Sequence, residues 1–318
     1  MKKLLALVLF IILPINTVIA AEAPNVVVSI KPIHSLVSAV MEGIATPDLI
    51  IKKGSPHGYT LRPSEAKVLA NADLIVWVGH DLESFLEKPL NTLAKDAQKL
   101  TLSEKLQSSL LNKREGAEWA KHTHKDHDEM HHHEEHEEHE HDAHHGEASM
   151  DFHIWLSPAI AKKITIATTQ MLVEMDPTHA EQYQTNSDKL LARLVELDEN
   201  LTTKLAPVKD KPYVVFHAAY QYFESDYGLK AVGSVTIDPD RKSGAKGISE
   251  IRKKVTRLGV VCVFSEPQFE SSLVKTIIEG TDVKTGTLDP LGANIQEGPN
   301  AYFELMNNLA NDLVLGLQ

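Results

Sequence analysis

The chain has 318 residues, 42% of them hydrophobic and 6% aromatic, with a net charge of −12. That length is enough for two domains, and the absence of clustered Lys and Arg excludes nucleic acid as a partner, since phosphate binding needs such clusters. The single cysteine, Cys262 in Val260-Val261-Cys262-Val263-Phe264, excludes an intramolecular disulfide and reads as a small core residue.

The N-terminus carries Lys2 and Lys3, an apolar run from Leu4 to Leu13, and the small-residue end Val18-Ile19-Ala20. This is the pattern of a cleaved signal peptide, too short to span a bilayer. Residues 1–20 are therefore set aside from the fold. No later stretch reaches the roughly 20 apolar residues that a spanning helix requires, so no stable membrane insertion is expected. No cysteine follows the leader to carry a lipid. The mature chain is expected to be free in a periplasm.

From Asn25 onward, short β-branched runs alternate with helical stretches. Strand candidates are Val26–Ile30, Leu49–Ile51 and Leu74–Val78, with helices predicted over Ile33–Gly43 and Pro63–Ala72. Strict alternation argues for a parallel sheet with helices on both faces. Residues 115–149 break the pattern. They hold eleven of the seventeen histidines and twelve acidic residues against Lys121 and Lys125, a local charge of −10. Such a segment cannot bury enough apolar surface to offset its ordering entropy and is expected to be a disordered loop. Closely spaced imidazoles among carboxylates suit divalent metals but define no geometry. An H-x-x-E-H match from His132 to His136 is expected by chance in such a tract.

A long helix is predicted next. Asp176-Pro177-Thr178 is a helix start, with Asp as cap and Pro in the first turn. No Gly or Pro follows until Pro207, and Leu190, Leu194, Leu197, Leu201 and Leu205 form one apolar stripe. At 1.5 Å per residue such a helix would run roughly 43 Å, enough to brace two lobes. It lacks the heptads and flanking charge order of a coiled-coil dimer, so a monomer is expected. The alternating rhythm returns after Pro212, with strand candidates at Tyr213–Phe216, Ala231–Val235, Val260–Phe264 and Val283–Thr287. The predicted architecture is thus two α/β lobes with parallel sheets. They comprise residues 21–175 and 207–318, joined by one long helix over 176–206.

Six histidines lie outside the His-rich segment. His57 sits in the turn-rich Gly54-Ser55-Pro56-His57-Gly58 after a strand, where α/β sheets bind ligands. His217 directly follows the strand Tyr213–Phe216, the equivalent place in the second lobe. His153 lies between the His-rich segment and a new helix at Pro158, and Asp289 follows the last strand candidate. These four could converge on a cleft between the lobes. Asp151 and Glu266 are candidates to hold imidazole N–H groups. His34, His80 and His179 read as first-turn, loop and surface residues.

Five blocks carry a resemblance along essentially the whole mature chain. They are Ser55-Pro56-His57-Gly58-Tyr59-Thr60-Leu61-Arg62-Pro63-Ser64, Asn71-Ala72-Asp73-Leu74, Asp151-Phe152-His153-Ile154-Trp155-Leu156-Ser157-Pro158, Phe216-His217-Ala218-Ala219-Tyr220-Gln221-Tyr222-Phe223 and Leu288-Asp289-Pro290-Leu291-Gly292. In this order, with a His-rich insert before the second histidine block, the chain resembles the periplasmic zinc-binding proteins of bacterial zinc-uptake ABC transporters, the ZnuA family. The resemblance implies a solute-binding protein that is not an enzyme. It implies Zn²⁺ bound between the lobes by His57, His153 and His217, and delivery to an inner-membrane ABC permease. Some relatives place a Glu ligand immediately before the first histidine; here that position is Pro56, which leaves the fourth site to water or Asp289. The manganese-binding branch carries Glu where this chain has His217, which favours zinc. Two rivals remain at the level of sequence. A zinc hydrolase would also use three histidines and a water, but no general base stands at a motif spacing. A free-standing zinc buffer would work through the loop alone.

Overall fold

The computed structural model describes residues 22–114, 149–236, 245–269 and 272–318. The signal peptide expected at 1–20 and nearly all of the His-rich segment 115–149 lie outside these residues. Among the described residues, no helix is long and apolar enough to cross a membrane.

The first lobe opens with β1 (Val26–Ile30), whose residues are all buried, as expected of an inner parallel strand covered on both faces. There follow α1 (Lys31–Val40), with a proline in its first turn, then β2 (Asp48–Ile51), α2 (Pro63–Ala70), β3 (Leu74–Trp77), α3 (Ser84–Thr92), β4 (Gln98–Thr101) and the single turn α4 (Leu102–Lys105). The sheet order is β2-β1-β3-β4, with every pairing parallel. A short antiparallel pair, β5 (Leu111–Asn112) with β6 (Met150–Asp151), brackets the His-rich segment.

Two helices lead out of the lobe. α5 (Pro158–Met175) is capped by the Ser157 hydroxyl, which accepts the Ile160 N–H at 3.2 Å. One turn of 3₁₀ helix, Pro177–His179, then introduces α6 (Ala180–Leu205). With 26 residues α6 is about 39 Å long, and all five leucines of its predicted stripe are buried.

The second lobe comprises β7 (Tyr213–His217), α7 (Gln221–Tyr227), β8 (Ala231–Thr236), α8 (Ala245–Arg257), β9 (Cys262–Ser265), α9 (Ser272–Ile278), β10 (Lys284–Thr287) and α10 (Ala301–Leu317). Its sheet is also parallel, in the order β10-β9-β7-β8. Cys262 is fully buried, and burial pushes its thiol up to about 12. The chain thus has the two-sheet α/β fold with a long helix.

One feature departs from the expected single connection. The terminal helix α10 turns back to pack on α1 and α6 as well as on β9 and β10. Leu305, Leu309, Leu313 and Leu317 form its buried stripe. The main core is consequently continuous, running from Val28 through Leu194 to Phe264 and Tyr302. A smaller core of valines with Phe216 and Ile277 includes residues of α8 and α9.

Candidate metal centre

Each of the three histidines is delivered by a different piece of local structure. His57 lies on the loop after β2, where Gly54 adopts φ +100° and the Ser55 hydroxyl accepts the His57 N–H at 3.2 Å. His153 follows β6. The Asp151 carboxylate takes both its backbone N–H at 3.0 Å and its ring Nδ1–H at 2.7 Å. His217 is the last residue of β7, and its Nδ1–H donates to Glu266 Oε1, just beyond β9, at 2.7 Å. The two carboxylates singled out in the sequence thus hold two of the imidazoles.

The free ring nitrogens converge. His153 Nε2 lies 3.3 Å from His57 Nε2 and 3.3 Å from His217 Nε2, and ligand atoms of all three residues fall within 4.8 Å of one another. Because Nδ1 of His153 and His217 donates to carboxylate, their Nε2 atoms carry lone pairs. A proton on His57 Nε2 could bridge one of the two gaps and no more. A divalent cation at the centre would satisfy all three. Burial pushes His57 down to about 2, with the neighbouring His153 and His217 and then Lys113 adding to the effect, so it stays neutral and able to bind metal.

Pro56, Trp155, Phe269, Pro290 and Leu291 wall the site, with Gln268 beside them, and the free space is about 10 Å³, room for a single small sphere. Trp155 is fixed from two sides. Its indole N–H donates to the Pro290 carbonyl at 2.7 Å, and its own carbonyl accepts from the Tyr302 hydroxyl at 2.9 Å.

Asp289 is not brought into the three-histidine group. Its Oδ1 accepts from Gln268 Nε2 at 2.7 Å and from the amides of Leu291 and Gly292 at 3.1 and 2.9 Å, and its Oδ2 accepts from the Ala293 amide at 2.6 Å. The carboxylate is spent on shaping its own loop. The other histidines serve elsewhere. His34 is buried, with Nε2 2.9 Å from the Pro47 carbonyl. His80 is exposed beside Glu87. His179, expected as a surface residue, is instead partly buried and bonded to Asp176 at 2.6 Å. Gln268 went unnoticed in the sequence, where nothing in its spacing distinguishes it.

The family described as "Zinc-uptake complex component A periplasmic" matches residues 26–316. The high-affinity zinc uptake system protein ZnuA of Brucella abortus (strain 2308) is 46% identical over 307 residues, covering 93% of this chain and 92% of that one. The protein of the same name from Yersinia pestis is 37% identical over 318 residues, covering 98% and 96%. A crystal structure of ZnuA is similar in fold, with a TM-score of 0.75 over 93% of this chain and 100% of that chain at 21% identity. On the match along almost its full length and the identity to these relatives, the chain belongs to the ZnuA family of periplasmic zinc-uptake components.

Proposed function

We propose that this protein captures Zn²⁺ in the periplasm with His57, His153 and His217 and delivers it to an inner-membrane ABC permease for import. The observation that carries this reading is the convergence of three Nε2 atoms, at 3.3 Å from His57 and His217 to His153, with carboxylates behind two of the rings. The names of the relatives support it. Zinc here is cargo and not a resident cofactor. Three neutral imidazoles suit zinc better than manganese, which prefers oxygen ligands. They also bind without enclosing the ion in a closed four-thiolate site, which suits a protein that must release it.

The fourth position falls to an exchangeable water in this reading. Asp289 could enter it only by giving up its four donors. We read residues 21–175, 176–206 and 207–318 as first lobe, linker helix and second lobe of a monomer. The His-rich segment is an auxiliary, weaker zinc collector, because its many interchangeable imidazoles and carboxylates define no single coordination geometry. Binding without catalysis is favoured because Asp151 and Glu266 are already committed to imidazole N–H groups. The test is zinc uptake in cells lacking the native gene, grown with scarce zinc. The wild-type chain should restore accumulation and the His217→Ala chain should not. Restoration by His217→Ala, or zinc-dependent turnover of ester or peptide substrates, would overturn the proposal.

A further inference from the structure

The short β5–β6 pair leans against α7 of the second lobe through a compact set of ties. The Tyr222 hydroxyl donates to the Asp151 carbonyl at 2.6 Å and accepts the Leu111 N–H at 3.0 Å. Gln221 Nε2 donates to the Asn112 carbonyl at 3.1 Å. The Arg114 guanidinium pairs with the buried carboxylate of Glu224, which burial pushes up and Arg114 pulls down. From the other side, the Ser157 hydroxyl that caps α5 donates to Asp226 of α7 at 2.6 Å.

Both ends of this contact lead to the three-histidine site. Asp151, whose carbonyl Tyr222 holds, carries His153 on its carboxylate. α7 begins four residues after His217. Along the chain, His153 and His217 are 64 residues apart, by way of α5 and α6. The route through Asp151, Tyr222 and α7 is far shorter, and beside the Trp155–Pro290 bond it is a direct tie between the segments that carry the two imidazoles.

We propose that Tyr222, assisted by Gln221 and Glu224, is a positioning residue that sets the spacing between His153 and His217 and so governs how fast bound zinc leaves. This rests on the reading of the three histidines as the zinc site. Removing the hydroxyl takes one partner from the Asp151 carbonyl and one from the Leu111 amide, which face each other across the β5–β6 pair. β6 is then held to α7 less tightly, and a shift of β6 moves the Asp151 carboxylate with it. Loss of groups behind a metal ligand typically costs 10–100-fold in affinity. One step further out, zinc should leave about tenfold faster, at the lower end of that range.

The test is stopped-flow zinc release from the full mature protein into excess chelator, together with the visible spectrum of the Co²⁺-loaded form. Tyr222→Phe is compared with Tyr183→Phe, which removes another buried hydroxyl, bonded to Asp176 just after the end of α5. Tyr222→Phe should release zinc about tenfold faster and alter the Co²⁺ bands. Tyr183→Phe should lower Tm but leave both readouts at wild-type values. Wild-type release and spectrum in Tyr222→Phe would overturn the inference. If Tyr222→Phe does not fold, Gln221→Ala at the edge of the contact takes its place, with about threefold faster release expected for one weaker hydrogen bond; an unchanged rate there would be equally decisive against it. Should His217→Ala hold zinc as tightly as wild type in the same assay, the zinc site itself has been misread and the inference falls with it.

Discussion

At the scale of single residues, the centre depends on which nitrogen carries the proton. Asp151 and Glu266 hold the Nδ1–H of His153 and His217, which turns both Nε2 lone pairs inward and makes the imidazoles more basic toward a metal. Asp151→Asn and Glu266→Gln should each weaken zinc binding by about 10–100-fold, measured by competition with a chelator, while the three histidines remain. A second prediction concerns pH. His57 is held at about 2 in the folded protein, by burial first and by its two neighbours next, against about 6.5 in the unfolded chain. The unfolded chain therefore takes up a proton that the folded one refuses. In the metal-free protein the His57 contribution to stability is fully present above about pH 6.5 and is lost as pH falls below that value, opposite in sign to that of the buried Glu83 carboxyl, which burial pushes up to about 7. Between pH 8 and pH 5, thermal melts should show the wild-type Tm losing ground relative to that of His57→Ala, which lacks this proton uptake. His57 and His217 stood out in the sequence because strand ends in α/β folds are where ligands bind, whereas His153, after the two-residue β6, joined them through the family resemblance. Asp289 occupies such a position too, but its neighbours' amides claim the carboxylate, and no spacing in the sequence announces that. Asp289→Ala should lower Tm more than it lowers zinc affinity, with calorimetry and melts compared on the same variant.

At the scale of elements, the strands with short, largely apolar runs were readable almost to the residue, β1 and β3 among them, because buried parallel strands are apolar on both faces. β4 was not, since Gln98-Lys99-Leu100-Thr101 has one buried side chain on an edge strand. α3 was hidden by its internal Pro89, and β5 and β6 are too short to leave a pattern. The return of α10 across both lobes was equally invisible, because an apolar stripe shows that a helix is covered and not by what. Two glycines make that return possible. A methyl group at Gly286 of β10 or Gly316 of α10 would fall within 2.5 or 2.6 Å of the Phe264 ring. Gly286→Ala and Gly316→Ala should each destabilise the protein by about 1–3 kcal/mol through overpacking, seen as a lowered denaturation midpoint.

For the whole molecule, the consequence is two lobes that are not free to swing apart. α6, α10 and a continuous core join them. Lys31, at the start of α1, donates across the boundary to the carbonyls of Gly292, Ala293 and Ile295. Opening the cleft widely would expose that core, so zinc should enter and leave by movement of the loops around His57 and His153. Small-angle scattering of zinc-free and zinc-loaded protein should give radii of gyration within about 1 Å of each other, as for preorganised binding sites. The most direct test of the three-histidine centre is a calorimetric zinc titration of the mature protein lacking residues 115–149, run beside the same protein carrying His153→Ala. One tight zinc ion per chain is expected in the first and none in the second. A tight ion that survives His153→Ala, or that disappears with residues 115–149 alone, would contradict that expectation.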